Sequence, residues 1–402
     1  MVINPVLFKA ANMNQNNSQQ NLCILQVLPA LISGGVERGT IDIALALIQK
    51  GHQAIVISSG GSLVKQLDEI GATHIHLPVQ SKNPWKIWKN AQVLKRIIQT
   101  YQVDIIHARS RAPAWSCYWA SKSSNTPYTT TFHGAYGHSN RLKRWYNAVM
   151  LRSNMTIAVS DFIAEHIAKT YPTQLGKFHS KVKVIHRGID THTFSCSQNL
   201  SPSVEQLKKQ WQLPNNKTII MLPGRITRLK GHSVLIHALS KLDTSNILCL
   251  FVGDNHGNTN YQQELEALIA QHKLCNTIYL VGGCHNMAAA YQMANIVVSA
   301  SVKPESFGRV SCEAQAMDCL VVATNHGGTR EIMSDSQKTF LCEPNNSESM
   351  QQALLKALAT PKEAQSLIFQ QSRKHIEANF SLDKMCRDTL AIYQQLKQKR
   401  QG

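Results

Sequence analysis

The chain has 402 residues, of which 43% are hydrophobic and 16% charged, with a mean hydropathy of -0.21. These values exclude a fibrous or disordered class, and the length favours two domains of roughly 200 residues each. Forty-two Lys and Arg against twenty-four Asp and Glu give +18, a surface that attracts phosphate, nucleic acid or an anionic membrane without choosing among them.

Residues 1–21, "MVINPVLFKAANMNQNNSQQN", read as a polar, flexible lead-in. They lack the basic start and sustained apolar core of a secretion signal, and no apolar run in the chain approaches the ~18 residues of a spanning helix. Ten scattered cysteines contain no C-x-x-C pair; Cys249 in "ILCLFVG" is typical in sitting within an apolar run. They read as reduced core residues of a cytosolic protein, neither a disulfide framework nor a zinc site.

From residue 22 short β-branched runs alternate with helical patterns, the signature of parallel βαβ units. The strand candidates are "CILQVLP", "AIVISS", "THIHLPV", "VDIIHA", "YTTTFHG", "MTIAVS" and "KVKVIH", which delimit a first domain at 22–195. Between the first two lies "LPALISGGVERGTIDIALALIQKGH", a strand, a loop with Gly34 and Gly35, and a helix. Glycines there let backbone N–H groups approach an anion at the helix N-terminus; without G-x-G-x-x-G, an ordinary βα turn is the competing reading.

The stretch "NPWKIWKNAQVLKRIIQTYQ" mixes Trp85 and Trp88 with Lys86, Lys89, Lys95 and Arg96, and "RLKRWYNAVMLR" repeats the mixture. Between Ser81 and Arg152 there are twelve basic residues and one acid, Asp104. Such helices suit a headgroup layer of anionic lipid; the alternative is amphipathic domain helices with solvated lysines. His133 ends a strand in "TFHG", a position where a lone histidine is commonly structural.

After Ser195 the polar stretch "SCSQNLSPSVEQLKKQWQLPNNK" marks the boundary. A second domain, 196–380, restarts the alternation with "TIIMLPG", "ILCLFVG", "TIYLVGG", "NIVVSAS", "LVVATN" and "TFLCEP". Two doubly wound sheets in tandem form a cleft, and ligands of such sheets bind beyond the carboxyl ends of the strands. At one such end "LPGRITRLKGH" supplies Arg225 and Lys230, which suit a diphosphate or, more blandly, a solvated basic loop.

In "KPESFGRVSCEAQAMD" Glu305 and Glu313 flank a helix expected to start between Ser306 and Arg309, where the N–H groups of Phe307 and Gly308 make a second anion cradle. Eight helical residues rise about 12 Å, enough to place one acid near each sugar of a nucleotide-sugar. The competing reading makes Glu305 a dipole-favourable acid at a helix start and Glu313 a surface residue. The last segment, 381–402, is helical in pattern and is expected to cross back to the first domain.

In chain order, "SGGVERG", "TFHGAYG", "VIHRGID", "GRITRLKG", "ESFGRVSCE" and "NHGGTREIM" resemble the retaining GT-B glycosyltransferases of family 4, of the bacterial lipopolysaccharide and cell-surface glycan type. The resemblance runs from about Cys23 to the last helix, and it implies a fold of two tandem Rossmann-like α/β domains facing across a cleft. By position it implies that Glu305 meets hydroxyls of the donor sugar and Glu313 the nucleotide ribose. Arg225 and Lys230 would neutralise the diphosphate leaving group, with the backbone of Gly34, Gly35, Phe307 and Gly308. His133 would reach toward the reacting sugar, and Cys284 in "VGGCHN" marks where the base meets main chain. One departure is "VIHRGID": the family often has Asn before that Gly, where this chain has Arg187.

The implied reaction is transfer of a hexose from a nucleotide-sugar to a glycan or lipid-linked acceptor, with retention, by front-face attack in which the departing phosphate takes the acceptor proton. No D-x-D pair is present, so helix ends and cations are expected to replace a metal, and no cofactor is expected. The resemblance and the basic surface place the enzyme in the cytoplasm, at the inner face of the membrane. Two rivals stay open: a nucleotide-sugar 2-epimerase of the same architecture, and a basic nucleic-acid-binding protein, for which no helix-turn-helix, zinc or RNA-binding signature is found.

Overall fold

Among the described residues thirteen strands form where the apolar runs predict them, and they assemble into two all-parallel sheets. The computed structural model describes residues 21–401 apart from 33, 138–139, 179–180, 256 and 258, so all but the last residue of the expected lead-in lies outside the described residues. The first sheet contains β1 (Cys23–Val27), β2 (Gln53–Ser58), β3 (Thr73–His76), β4 (Ile105–Ala108), β5 (Tyr128–Phe132), β6 (Met155–Ala158) and β7 (Lys181–Val184), in the order β3-β2-β1-β4-β5-β6-β7. The second contains β8 (Thr218–Pro223), β9 (Ile247–Val252), β10 (Ile278–Gly282), β11 (Ile296–Ser299), β12 (Leu320–Thr324) and β13 (Leu341–Cys342), in the order β10-β9-β8-β11-β12-β13.

Both orders reverse at a switch point, beside β1 and beside β8, where the crevice of a doubly wound sheet opens. Strands covered on both faces need apolar side chains at successive positions, and β9, "ILCLFV", is buried throughout. Along β1, Ile24 joins one core layer of the first domain and Leu25 the other.

The helix Leu382–Gln401 packs Met385, Leu390, Ile392 and Tyr393 into the same layer as the first helix, Gly35–Gln49. Tyr393 Oη lies 2.6 Å from Nδ1 of the fully buried His107, and Lys397 pairs with Asp104 at 3.1 Å. The two chain segments between the domains run side by side: Ile189 N–H donates to Phe380 O at 2.9 Å, and Leu382 N–H donates to Ile189 O at 2.7 Å. A Cβ on Gly188 would stand 2.4 Å from Ser381 O, so only glycine allows this approach.

The basic-aromatic stretches form the helices Pro84–Thr100 and Arg141–Asn147, which lie over one core layer together with the helix Arg111–Ser124. Ala91, Leu94 and Ile98 are buried, as a domain helix requires, while Trp85, Trp88, Trp119, Leu142 and Trp145 remain exposed. Among the described residues no helix is long and apolar enough to cross a membrane. All ten cysteines are free, and seven of them are buried.

Candidate active site

The first helix starts at Gly35 after Gly34, whose φ of 132° is open to glycine and strained for other residues. Its first turn rests on two guanidinium groups. Arg187 donates to Gly35 O, and a Cβ on Gly39 would meet both Arg109 and Arg187 at 3.1 Å. The Asn-to-Arg departure in "VIHRGID" therefore puts a cation beneath the Gly34-Gly35 loop.

Burial lowers the Arg187 pKa to about 10, and the charges of Arg109 and Arg309 add to this against Asp42 and Glu37. Burial likewise lowers Arg109. Burial raises the Asp42 carboxyl although Arg187, Arg309, Arg38 and Arg109 all favour its ionised form. Arg309 belongs to the second domain, so the starts of two helices, one from each domain, face each other across the cleft. The domains also approach at Gly134, where a Cβ would lie 3.4 Å from Ser306 Oγ.

His133 follows β5 and shares a small cavity with Arg109, Thr131 and Arg187. Both ring nitrogens are buried without a hydrogen-bond partner. Burial, then Arg109, Arg187 and His107, push its pKa well below the usual histidine range, so the ring is neutral. A purely structural histidine would normally have at least one nitrogen engaged, and this one borders a small cavity that it shares with two arginines instead.

On the opposite wall, Gly224 (φ 150°) ends β8 and leads into Arg225, which is exposed and forms no ion pair among the described residues. Lys230 closes the same loop and reaches Glu305 Oε1 at 2.5 Å. Gly231 (φ 71°) has no room for a Cβ, which would stand 2.0 Å from Ala300 O; the loop is thereby held against the end of β11. Ser301 Oγ–H also donates to Glu305 Oε1. Burial raises the Glu305 pKa, but Lys230, Ser301 and His326 outweigh it and hold the carboxyl below its ordinary value.

The helix after Glu305 starts at the late edge of the expected window. It spans Arg309–Ala316, with Gly308 (φ 107°) before it, so the eight positions from Glu305 to Glu313 are not one helical rise. The chain from Pro304 to Gly308 is instead packed against Gly327 and Gly328, whose added Cβ atoms would strike Glu305 O at 2.6 Å and Ser306 O at 2.7 Å. Glu313 is not a surface residue either: it is 6% exposed. Its Oε1 accepts from Arg309 Nε at 2.5 Å and its Oε2 from Tyr291 Oη at 3.0 Å. Burial raises its pKa, against Arg309 and Tyr291.

Phe307 is buried within the second core, which leaves its backbone at the helix start. Cys284 follows β10, partly buried, beside a cavity of about 180 Å³ that also involves Gln210, Trp211 and His285. Sequence reasoning missed Arg109, Asp42, Tyr291, Ser301 and Arg309. Arg109 and Ser301 lie just beyond the carboxyl ends of β4 and β11, a signal that could have found them. Tyr291 and Asp42 sit inside helices and carry no such mark.

Residues 33–193 match the model for Glycosyltransferase Family 4, and residues 203–374 match Glycosyl transferases group 1. The crystal structure of a glycosyltransferase from Rickettsia africae ESF-5 is 41% identical, with a TM-score of 0.87, covering 94% of this chain and 99% of that one. Spore coat protein SA of Bacillus subtilis (strain 168) is 21% identical over 374 residues, 90% of this chain and 95% of its own length. Anabaena Alr3699/HepE in complex with UDP-glucose is 21% identical, with a TM-score of 0.76, covering 92% of this chain and 100% of that one.

Proposed function

Because the chain belongs to the group 1 glycosyltransferases, enzymes of GT-B architecture with nucleotide-sugar donors, we propose that it moves a hexose, with retention, to a glycan or lipid-linked acceptor of the cell envelope, of the lipopolysaccharide type. The observation that carries this reading is the approach of two helix starts, one from each domain, with cations at both: Arg187 and Arg109 under the Gly34-Gly35 turn, and Arg309, whose charge reaches Arg187 and Asp42, at the other.

The expensive part of the reaction is charge. As the bond between the anomeric carbon and the diphosphate breaks, negative charge grows on the leaving phosphate, and preorganised N–H groups and cations stabilise it. In this reading Arg225 and Lys230 meet the diphosphate, aided by the backbone at Gly34, Gly35, Phe307 and Gly308. Glu305 receives donor-sugar hydroxyls. Glu313 turns one carboxylate oxygen to the ribose by exchanging a hydrogen bond with Arg309 or Tyr291, and the main chain at Cys284 borders the base.

The acceptor oxygen bonds to the anomeric carbon on the face the phosphate leaves, and its proton passes to a departing phosphate oxygen. Neutral His133 is a hydrogen-bonding partner for the reacting sugar and adds no positive charge to the oxocarbenium-like centre. The HepE complex with UDP-glucose supports starting the donor search with UDP-hexoses. The exposed tryptophans and basic residues of the first domain support action at the inner face of the cytoplasmic membrane, where a lipid-linked acceptor is found.

The test is product analysis after a screen of UDP-, GDP- and ADP-sugars by thermal stabilisation. Freed nucleotide with a new glycoside is expected, and an Arg225→Ala, Lys230→Ala double variant should lose at least about a hundredfold in turnover while keeping its fold. An isomerised nucleotide-sugar would instead establish the epimerase. Wild-type turnover in the double variant would remove both cations from the mechanism.

A further inference from the structure

The helix Asp161–Thr170 belongs to the first domain, and the short helix Thr329–Ile332 to the second. An α-helix begins with N–H groups that lack intrahelical partners, and those of Asp161, Phe162 and Ile163, the first three of Asp161–Thr170, each have an acceptor outside the helix ladder. Ile163 N–H donates to the hydroxyl of the N-cap Ser160 at 3.2 Å. The first two cross to the other domain: Asp161 N–H donates to Glu331 Oε2 at 2.7 Å and Phe162 N–H to Glu331 Oε1 at 2.6 Å.

A carboxylate straddling two helix-terminal N–H groups also meets the positive end of the helix dipole, the strongest short-range use of such an acid. His186, in the segment leading out of β7, adds a further tie, with Nε2 at 3.1 Å from Glu331 Oε2 and 3.4 Å from Asp161 Oδ2. The Glu331 side chain is mostly shielded from water.

The same segment of the second domain backs the donor wall. Gly328 N–H donates to Glu305 O at 2.8 Å, and Gly308 is packed so closely on Thr329 that a Cβ would lie 2.9 Å from its hydroxyl. Only Thr329 and Arg330 therefore separate the residue bonded to Glu305 from the carboxylate that grips the first domain.

We infer that Glu331, assisted by His186 and Asp161, is an interdomain latch: it holds the cleft closed and ties closure to the backbone that carries Glu305, Phe307 and Gly308. Glu331 is thus a positioning residue that touches neither donor nor acceptor. The part concerning Glu305 rests on the donor site proposed above, whereas the closure itself does not. When the domains part, the two N–H groups and the carboxylate are returned to water, and the segment 327–331 loses its anchor on the first domain.

The experiment compares full-length wild type with Glu331→Ala and Glu331→Gln by small-angle X-ray scattering and by donor kinetics, after thermal melting has shown that each variant is folded. The expected result is a larger radius of gyration for Glu331→Ala, with Glu331→Gln in between because it keeps an oxygen for one N–H. The nucleotide-sugar KM should rise about tenfold and kcat should change less than about twofold, the signature of a shifted open–closed equilibrium with intact chemistry. An unchanged radius in a folded Glu331→Ala variant overturns the latch whether or not any nucleotide-sugar is turned over. Scattering that changes as expected while no donor is turned over by wild type retains the latch and removes the proposed function. Thermal stabilisation of wild type by Zn²⁺ that vanishes in His186→Gln also overturns the inference, because it reassigns the three side chains to a metal site.

Discussion

Glu305 and Glu313 occur in one motif but sit in opposite environments, and a substitution should read out differently at each. Glu313 is buried with both oxygens engaged, so Glu313→Ala leaves the buried Tyr291 hydroxyl without its acceptor and releases the half-exposed Arg309 guanidinium to water. Stranding a buried hydroxyl costs about 1–3 kcal/mol, and the loss should appear in urea denaturation. Glu305 is largely shielded beside Lys230, and Glu305→Gln keeps an oxygen for Ser301; its stability loss should be smaller than that of Glu313→Ala because no buried hydroxyl loses its acceptor. If Glu305 grips the donor sugar, its turnover should fall instead, and the ratio of stability loss to rate loss separates the two acids. Equal stability of Glu313→Ala and wild type would show that its buried bonds contribute nothing. Glu305, Lys230 and Arg225 were legible in the sequence because loops after strands carry them, and Glu313 only through its spacing from Glu305. Arg309 and Tyr291 were not, since nothing in residue spacing reveals that a helix arginine and a tyrosine 22 positions away close on one carboxylate.

At the scale of elements the strands were legible for a simple reason: a strand covered on both faces is an uninterrupted β-branched run, and each such run became a strand. The span from Glu305 to Glu313 was not, because periodicity cannot show that Gly308 turns left-handed and that the helix waits until Arg309. The helix Pro84–Thr100 carried two readings, and its residues divide between them. Leu94 and Ile98 are core, whereas Trp85 is 72% exposed and its ring meets that of Trp88 edge-on, 6.0 Å away. Leu142, 73% exposed, and Trp145 extend the apolar groups onto the helix Arg141–Asn147, among Arg141, Lys143 and Arg144. Aromatic anchors set among cations suit an anionic headgroup layer. Liposomes containing anionic lipid should therefore capture the protein in flotation at low salt, and release it as ionic strength shortens the Debye length. A Trp85→Ala, Trp88→Ala variant should bind about fivefold more weakly or worse, since it keeps the charge and loses the anchors. No capture at low salt would remove the membrane from the proposed function.

Among the described residues His107, His133 and His232 resist protonation most strongly, and the sign of their effect on stability follows from that. His107 is fully buried between Tyr393 and Thr131, which ties the C-terminal helix to the first sheet. His133 lies beside Arg109 and Arg187, and His232 is sealed under the Lys230 loop in the second domain. Burial pushes all three below the ordinary histidine value of about 6.5, His107 and His133 far below it and His232 to about 4. A group with a depressed folded pKa contributes its full stability above the unfolded value of about 6.5 and loses it as pH falls toward the folded value. For His232 alone the window from 6.5 to about 4 corresponds to on the order of 3 kcal/mol. Asp42 and Glu313 act in the opposite sense: with raised pKa values they take up protons more readily when folded, which partly offsets the loss at the acid end of the window. The thermal midpoint should therefore be flat from pH 8 to 7 and drop between about pH 6.5 and 5, with both domains affected because each contains such a histidine. A midpoint that held steady down to pH 5 would mean that these rings are protonated in the folded chain. The part proposed for neutral His133 beside the donor sugar would then have to be abandoned together with the stability argument.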